Sequence, residues 1–181
     1  MPGQEFELAL EDWLSRSDGD VCLVFADIVG SALLVHGQGT RVYAHVLSAY
    51  RLRAERLARA LDGHIVSKEG DEIFAAFLNA VTGFRFAREL NDDGGHALIS
   101  VRVGLHVGHV SCHEARLVGR AVPLAARVMD HAGPHEIWIS DMARQALIAE
   151  DPSLETAVPW VTSEVAILHG IPEPQVLWRA A

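Results

Sequence analysis

Cysteine is scarce in this sequence. The chain has two cysteines among 181 residues, Cys22 and Cys112, and they do not form a CxxC pair. This number and arrangement cannot build a disulfide framework. Both cysteines fall within apparent strands, where a free thiol behaves as a small apolar side chain. We therefore expect two buried thiols in a protein of a reducing compartment.

Long hydrophobic runs are also missing. No stretch approaches the roughly 20 uninterrupted apolar residues that a membrane helix needs. The first 14 residues carry acidic side chains where a signal peptide has positive charge, namely Glu5, Glu7, Glu11 and Asp12. The sequence therefore predicts a soluble, cytoplasmic protein with no membrane partner.

Positive charge is in short supply. Lysine and arginine together number 15, against 24 aspartates and glutamates, which gives a formal net charge of −9. Nucleic-acid binding is driven by clustered lysine and arginine, so we expect no nucleic-acid partner. A small phosphate ligand that is held through metal ions remains compatible with this charge.

Histidine is plentiful, with ten residues scattered along the chain. His106, His109 and His113 have a loose, ligand-like spacing, but they fall in an apparent strand and its turn. Zinc sites need ligands that converge from a compact motif. We interpret these histidines as core or surface residues rather than as a zinc site.

The chain has the length and the apolar content, 50%, of one well-buried domain. There is no internal repeat, low-complexity tract or convincing linker. The polar segment from Ser15 to Asp20 separates an opening helix from the first strand. We therefore divide the chain into an N-terminal helix and connector, residues 1–20, and a single domain, residues 21–181.

Apolar periodicity predicts the order of strands and helices. Val21–Ala26 is a continuous apolar run, typical of a strand buried on both faces. The remaining predicted elements are a long helix over Tyr43–Leu61, strands His64–Ser67 and Glu72–Phe77 joined by a tight turn, a helix over 78–90, a half-buried strand from Val101 that continues past Gly108, a helix over Pro123–His131, strand Glu136–Ile139, a short helix from Ser140, and strands over 165–169 and 175–179. The core order β-α-β-β-α-β predicts an α+β, ferredoxin-like sheet with helices packed on one face.

Two aspartates stand where such a sheet can bind a cation. Asp27 ends the first strand and is followed by backbone N–H groups and the Ser31 hydroxyl, a corner that can hold a cation and its bound phosphates. Asp71 lies at the tip of the hairpin beside that strand. Two hard oxygen donors suit Mg or Mn. Taken singly, each aspartate is also what an ordinary turn contains.

Six segments in order carry a resemblance to a known family. They are Phe25–Ser31 (FADIVGS), Gly70–Asp71, Val103–Gly108 (VGLHVG), Gly119–Arg127 (GRAVPLAAR), Glu136–Ser140 (EIWIS) and His169–Pro174 (HGIPEP). Together they resemble the class III adenylate and guanylate cyclase homology domain. The resemblance extends from about Val21 to Trp178, nearly the whole chain.

The resemblance implies a head-to-tail homodimer that binds a nucleoside triphosphate and two divalent ions, Mg or Mn, at the subunit interface. Carried over by position, Asp27, Asp71 and the Ile28 carbonyl are metal ligands. Arg127 matches the arginine that stabilises the transition state. The phosphate-binding positions are Val29, Gly30 and Ser31.

Three positions depart from the family pattern. Ser67 stands where adenylate cyclases carry a base-reading lysine, and Lys68, one place on, points to the other face of a strand. Arg116 replaces the second base-reading residue, an aspartate or threonine. Pro123 replaces the asparagine that orients the ribose, and it has no side-chain donor or acceptor.

Two hypotheses follow. The first is a two-metal nucleotide cyclase that makes a 3′,5′-cyclic nucleotide and pyrophosphate. Its base preference is not the usual adenine type, because Arg116 can only donate hydrogen bonds. The alternative is a catalytically silent, cyclase-like dimer that acts as a nucleotide-binding or interaction module. A third class, a ferredoxin-like nucleic-acid binder, is disfavoured by charge and by the lack of aromatic residues paired with basic ones along the strands. Whether Arg116 faces the base or the solvent stays open at this point.

Overall fold

The structure, a computed structural model, describes residues 10–181. Residues 10–14 are helical and are called α1. The strands are β1 Asp20–Ile28, β2 His64–Glu69, β3 Glu72–Phe77, β4 Val101–His109, β5 Ser111–His113, β6 Arg116–Val118, β7 Ile137–Ser140, β8 Trp160–Ala166 and β9 Gln175–Ala180. The further helices are α2 Ser31–Gln38, α3 Thr40–Ala60, α4 Ala80–Asp92, α5 Ala121–His131, α6 Asp141–Glu150 and α7 Leu154–Ala157.

Seven strands form one sheet in the order β2-β3-β1-β4-β7-β9-β8. All neighbours are antiparallel except β4 and β7, which are parallel. The first six core elements, β1-α3-β2-β3-α4-β4, follow the predicted β-α-β-β-α-β order. Strands β5 and β6 form a separate two-stranded hairpin. The α+β, ferredoxin-like class is therefore confirmed.

Helices cover both faces of the sheet, which corrects the expectation that they pack on one face. Buried side chains of α3, α4 and α6 form one cluster with Cys22, Val24 and Ala26 of β1. Those of α1 and α5 form a second cluster with Leu23 and Phe25 of the same strand. A strand that is apolar on both faces needs cover on both, so the continuous run of β1 already required a second layer.

Two glycines of β4 let α5 lie close to the sheet. A Cβ atom at Gly104 would be 2.1 Å from the backbone nitrogen of Met129, and one at Gly108 would be 2.8 Å from the Cβ of Ala121. Real Cβ atoms do not approach that closely, so only glycine fits at this contact. These glycines therefore set where α5, the helix of Arg127, sits over β1 and β4.

Several element bounds differ from expectation. Helix α2 was not predicted because it buries none of its residues and so shows no apolar periodicity. Strand β4 is buried on both faces rather than half-buried, since Gly104 and His106 lie under α5. Strand β8 begins at Trp160, earlier than expected.

Helix α1 packs against the sheet through Leu10, Trp13 and Leu14, in the same cluster as Leu23. The rest of the expected opening helix lies outside the described residues, and the division at residues 20 and 21 stays a prediction. Within residues 10–181, no helix is long and apolar enough to cross a membrane.

Candidate active site

The structure brings Asp27 and Asp71 together. Asp27 lies near the end of β1, and Asp71 follows Gly70 in the turn between β2 and β3. Because β3 pairs with β1 in antiparallel register, with Ala26 opposite Ile73, that turn reaches the end of β1. The two carboxyl groups lie close enough for the charge of Asp71 to raise the pKa of Asp27. Two oxygen donors, one from strand β1 and one from the β2–β3 turn, thus lie close together.

Sequence reasoning missed Arg102, the partner of Asp27. Its Nε and Nη2 atoms both donate to Asp27 Oδ2, at 3.1 and 2.8 Å. Burial raises the pKa of the Asp27 carboxyl, the Arg102 contact opposes that rise, and the charge of Asp71 adds to it, so that the net direction is upward. Arg102 lies opposite Asp27 in the β1–β4 register. Register between distant strands cannot be derived from one sequence, so no local signal identified this pair.

The donor set fits a hard divalent cation. Asp27 and Asp71 supply carboxylate oxygens, and Ile28, whose side chain has no ligand atom, could contribute only its backbone carbonyl. Among residues 10–181, no group of three or more histidine, cysteine, aspartate or glutamate side chains is arranged to hold a metal. A cation here would therefore complete its oxygen shell with ligand phosphates, as Mg and Mn commonly do.

Only some of the expected phosphate-binding positions are available to a phosphate. The Val29 N–H donates to the Ser100 carbonyl at 2.9 Å, so it is not free for a phosphate, which corrects the expectation for Val29. Gly30 has a left-handed backbone, φ 72°, and caps α2, which starts at Ser31. Tyr43 lies close to Ser31 and both aspartates, and burial raises the pKa of its phenol. Gly30 and Ser31 thus form the N-terminus of helix α2, which lies beside the two carboxylates.

Ser67 and Arg116 line one groove of about 400 Å³ between β2 and the β5–β6 hairpin. Its apolar wall includes Phe74, Leu117 and Val122. Lys68 points away, because its Nζ forms an ion pair with Glu55 of α3. The two substituted base-reading positions therefore come together, and Arg116 borders the groove although it is exposed.

Two acidic residues of this groove, Glu69 and Glu114, were not found from the sequence. Glu69 lies two places after Ser67, on the same face of β2. Glu114 and Ala115 form the tip of the hairpin, both with positive φ, 50° and 60°. A two-residue turn of this kind usually carries Asn-Gly or Asp-Gly, so Glu-Ala gave no turn signal. The groove thus holds hydrogen-bond acceptors as well as the Arg116 donor.

Helix α5 carries the last two expected site residues. Pro123 is exposed in its first turn, where proline is tolerated. Arg127 forms an ion pair with Asp130, and Asp130 Oδ1 lies 4.0 Å from Arg102 Nη2. Four side chains therefore form an ion-pair series, Asp27–Arg102–Asp130–Arg127, which we call the charge series.

The acidic residues around the charge series influence one another. Burial raises the pKa of the Glu72 carboxyl, and the charges of Asp27 and Asp130 raise it further. The carboxylates of Asp27, Glu72 and Asp130 leave this end of the sheet rich in negative charge. Such a field favours a bound cation.

No family model and no curated protein matches the sequence. Solved structures do match. Adenylate cyclase from Trypanosoma brucei, studied in its monomeric state, superposes with a TM-score of 0.80 at 19% identity, over 90% of this chain and 88% of that chain. The guanylate cyclase domain of RhGC from Catenaria anguillulae, in complex with GTP, gives 0.73 at 18% identity, over 90% and 96% of the two chains. An adenylate/guanylate cyclase/hydrolase from Silicibacter pomeroyi gives 0.73 at 22% identity, over 89% and 95%.

These matches define the class of fold: the chain has the fold of class III adenylate and guanylate cyclase catalytic domains. The resemblance drawn from the six sequence segments is confirmed at the level of the fold. At identities of 18 to 22%, the matches show the fold but do not show the activity.

Proposed function

We propose that this protein is a nucleotide cyclase. It converts a nucleoside triphosphate into a 3′,5′-cyclic nucleotide and pyrophosphate at the interface of a homodimer, with two divalent ions, Mg or Mn. The observation that carries the proposal is the convergence of Asp27 and Asp71 at the end of β1 on a cyclase fold.

The chain's own residues have separate tasks in this reaction. Asp27, Asp71 and the Ile28 carbonyl hold the ions against the phosphates, and Gly30 and Ser31 bind phosphate oxygens. When bound, the ions neutralise phosphate charge and favour ionisation of the ribose 3′-hydroxyl. The 3′-oxygen loses its proton to solvent water and bonds to the α-phosphorus, while the bond from that phosphorus to the bridging oxygen breaks and pyrophosphate leaves. Arg127 offsets the charge that builds on the α-phosphoryl oxygens.

The positions of these residues support the proposed homodimer. In one chain, Arg127 is engaged by Asp130, on the helix layer opposite α3 and α4. We propose that Arg127 and the groove of Ser67 and Arg116 serve the aspartate pair of a second copy. A two-fold axis then creates two equivalent sites.

We propose guanine as the preferred base. Arg116 can donate to O6 and N7 of guanine, as arginine does in nucleic-acid recognition. Glu69 or Glu114 can accept from the neighbouring N1–H and N2–H groups, which only guanine offers side by side. Adenine has a single amine for these carboxylates. The sequence predicts a base other than adenine. Among the other bases, the acceptors in the groove favour guanine.

The deciding experiment incubates the purified protein with each of the four nucleoside triphosphates and Mn, and separates the products. We expect cyclic GMP and pyrophosphate, with no product from Asp27→Ala or Asp71→Ala. An unchanged triphosphate in every reaction, with Mn-dependent nucleotide binding intact, would instead identify the catalytically silent dimer. Cyclisation that persists in both variants would overturn the assignment of the metal ligands.

A further inference from the structure

We infer that Asp130 is a positioning residue that couples the metal end of its own chain to Arg127, by holding Arg127 with one carboxylate oxygen and drawing Arg102 with the other. This inference rests on the proposed function. It assigns a role to a residue that neither the sequence motifs nor the resemblance singled out.

The geometry of Asp130 carries the inference. Its Oδ2 atom pairs with Arg127 Nη1, and its Oδ1 atom lies 4.0 Å from Arg102 Nη2. An ordinary helix-surface pair would use Asp130 for Arg127 alone, three residues earlier on α5. The second partner comes from β4, a different element. Asp130 is therefore the point at which α5 joins the metal end of the sheet electrostatically.

Arg102 is shared unequally between two carboxylates. It makes both of its short contacts with Asp27 Oδ2, while Asp130 stands at the limit of an ion pair. A cation that binds Asp27 repels Arg102 and competes for the same oxygen. Asp130 is then the nearest carboxylate that can receive the displaced guanidinium, so it lowers the free-energy cost of cation binding.

Arg127 depends on Asp130 in another way. Its side chain is long and about 40% exposed, and long exposed side chains lose considerable rotamer freedom when they are fixed. The Asp130 contact restricts that freedom before substrate arrives. Loss of the Asp130–Arg127 contact should therefore lower turnover. The affinity for metal should instead depend on the approach of Asp130 to Arg102.

The test measures Mn²⁺ binding to the full chain by electron paramagnetic resonance, alone and with 3′-deoxy-GTP, which cannot cyclise. We expect Asp130→Asn to weaken Mn²⁺ binding about threefold to fivefold, the size of one exposed ion pair. Arg127→Gln should leave Mn²⁺ binding unchanged. In an Arg102→Gln background, the effect of Asp130→Asn on Mn²⁺ binding should fall below about twofold, because the two residues act together.

Turnover is the second quantity to be measured. At saturating Mn²⁺, Asp130→Asn and Arg127→Gln should each lower kcat, and the double variant should be no slower than Arg127→Gln alone, since Asp130 acts on turnover through Arg127. Asp130→Glu should restore both readouts in part. The matched control is Glu89→Gln, which breaks the exposed Arg85–Glu89 pair of 2.9 Å on α4 and should change neither readout.

The outcomes distinguish a failure of the role of Asp130 from a failure of the proposed function. A wild-type protein that binds Mn²⁺ but shows simple additivity in both double-variant cycles overturns the role of Asp130 and leaves the cyclase intact. A wild-type protein that binds no Mn²⁺ with or without the nucleotide overturns the proposed function itself. A loss of thermal stability in Asp130→Asn that Asp130→Glu does not relieve, together with unchanged Mn²⁺ binding, reduces Asp130 to a structural residue.

Discussion

At the scale of single residues, Asp27 and Asp71 carry the strongest expectation. A triphosphate brings several negative charges to a chain whose net charge is −9, so its binding depends on bridging cations. We expect Asp27→Ala and Asp71→Ala each to abolish Mn-dependent nucleotide binding in a calorimetric titration. Asp92→Ala, which changes an exposed acid on α4, is the matched control and should bind as the wild type does. Unchanged affinity in both site variants would exclude this metal site.

His106 gives a second residue-scale prediction, on stability. It is buried, its Nδ1 lies 2.7 Å from Ser140 Oγ, and burial lowers its pKa from 6.5 to about 4. The unfolded chain therefore binds a proton that the folded protein resists between those pH values. The stabilising contribution is complete above about pH 6.5 and is lost as the pH falls to about 4, by about 3 kcal/mol in total.

The measurement for His106 is the free energy of unfolding against pH, by urea denaturation. His106→Gln should be less stable at pH 7 and should lose less stability on acidification than the wild type. His36→Gln, which changes an exposed histidine of α2, should keep the wild-type slope. Equal slopes in the wild type and His106→Gln would contradict a buried, neutral His106.

At the scale of elements, the position of α5 depends on Gly104. An alanine there would place its Cβ 2.1 Å from the Met129 nitrogen, a backbone atom that cannot move without shifting the helix. We expect Gly104→Ala to destabilise the fold by about 3 kcal/mol and to lower activity, since α5 carries Arg127. Gly37→Ala is the control, because Gly37 lies in α2 with nothing within 4 Å of its Cβ, and it should be stabilised by about 0.5–1 kcal/mol. Equal thermal stability of the two variants would be inconsistent with close packing at Gly104.

How far the sequence could predict these elements depended on whether the signal was local. The apolar run of β1 and the periodicity of α3 are local patterns, and both elements were found. Helix α2 is exposed, so it carried no such pattern. The turn at Glu114 and Ala115 uses residues that rarely take positive φ, so the sequence favoured a loop there without indicating its tight, two-residue form.

The same distinction between local and long-range signals applies to the residues of the candidate site. Asp27 and Asp71 could be singled out as candidates because one lies at the end of a strand, the other lies in a tight turn, and each falls within a motif. The Asp27–Arg102 pair depends on the β1–β4 register, and Glu69 faces the groove only because the β5–β6 hairpin folds over β2. Contacts between distant segments need the assembled sheet, which a single sequence does not specify residue by residue.

At the scale of the whole molecule, the charge series raises the question of which copy uses Arg127. Within one chain, Arg127 is separated from Asp27 by two side chains, Arg102 and Asp130. If each site is completed by a second copy, a chain with a damaged metal end still donates a sound Arg127. Two inactive variants, Asp71→Ala and Arg127→Ala, should then restore each other when mixed.

The expected amount follows from two-fold symmetry. Random exchange of subunits makes half of the dimers mixed, and each mixed dimer has one site with both lesions and one site with neither, so the mixture should regain about a quarter of wild-type activity. Light scattering at roughly tens of micromolar protein, with nucleotide and Mn, should report a dimer under the same conditions. The double variant Asp71→Ala/Arg127→Ala, mixed with either single variant, is the control and should stay inactive, because every site then keeps at least one lesion. No recovery from the two single variants, in a preparation where scattering shows exchange between dimers, would mean that Arg127 serves the aspartates of its own chain.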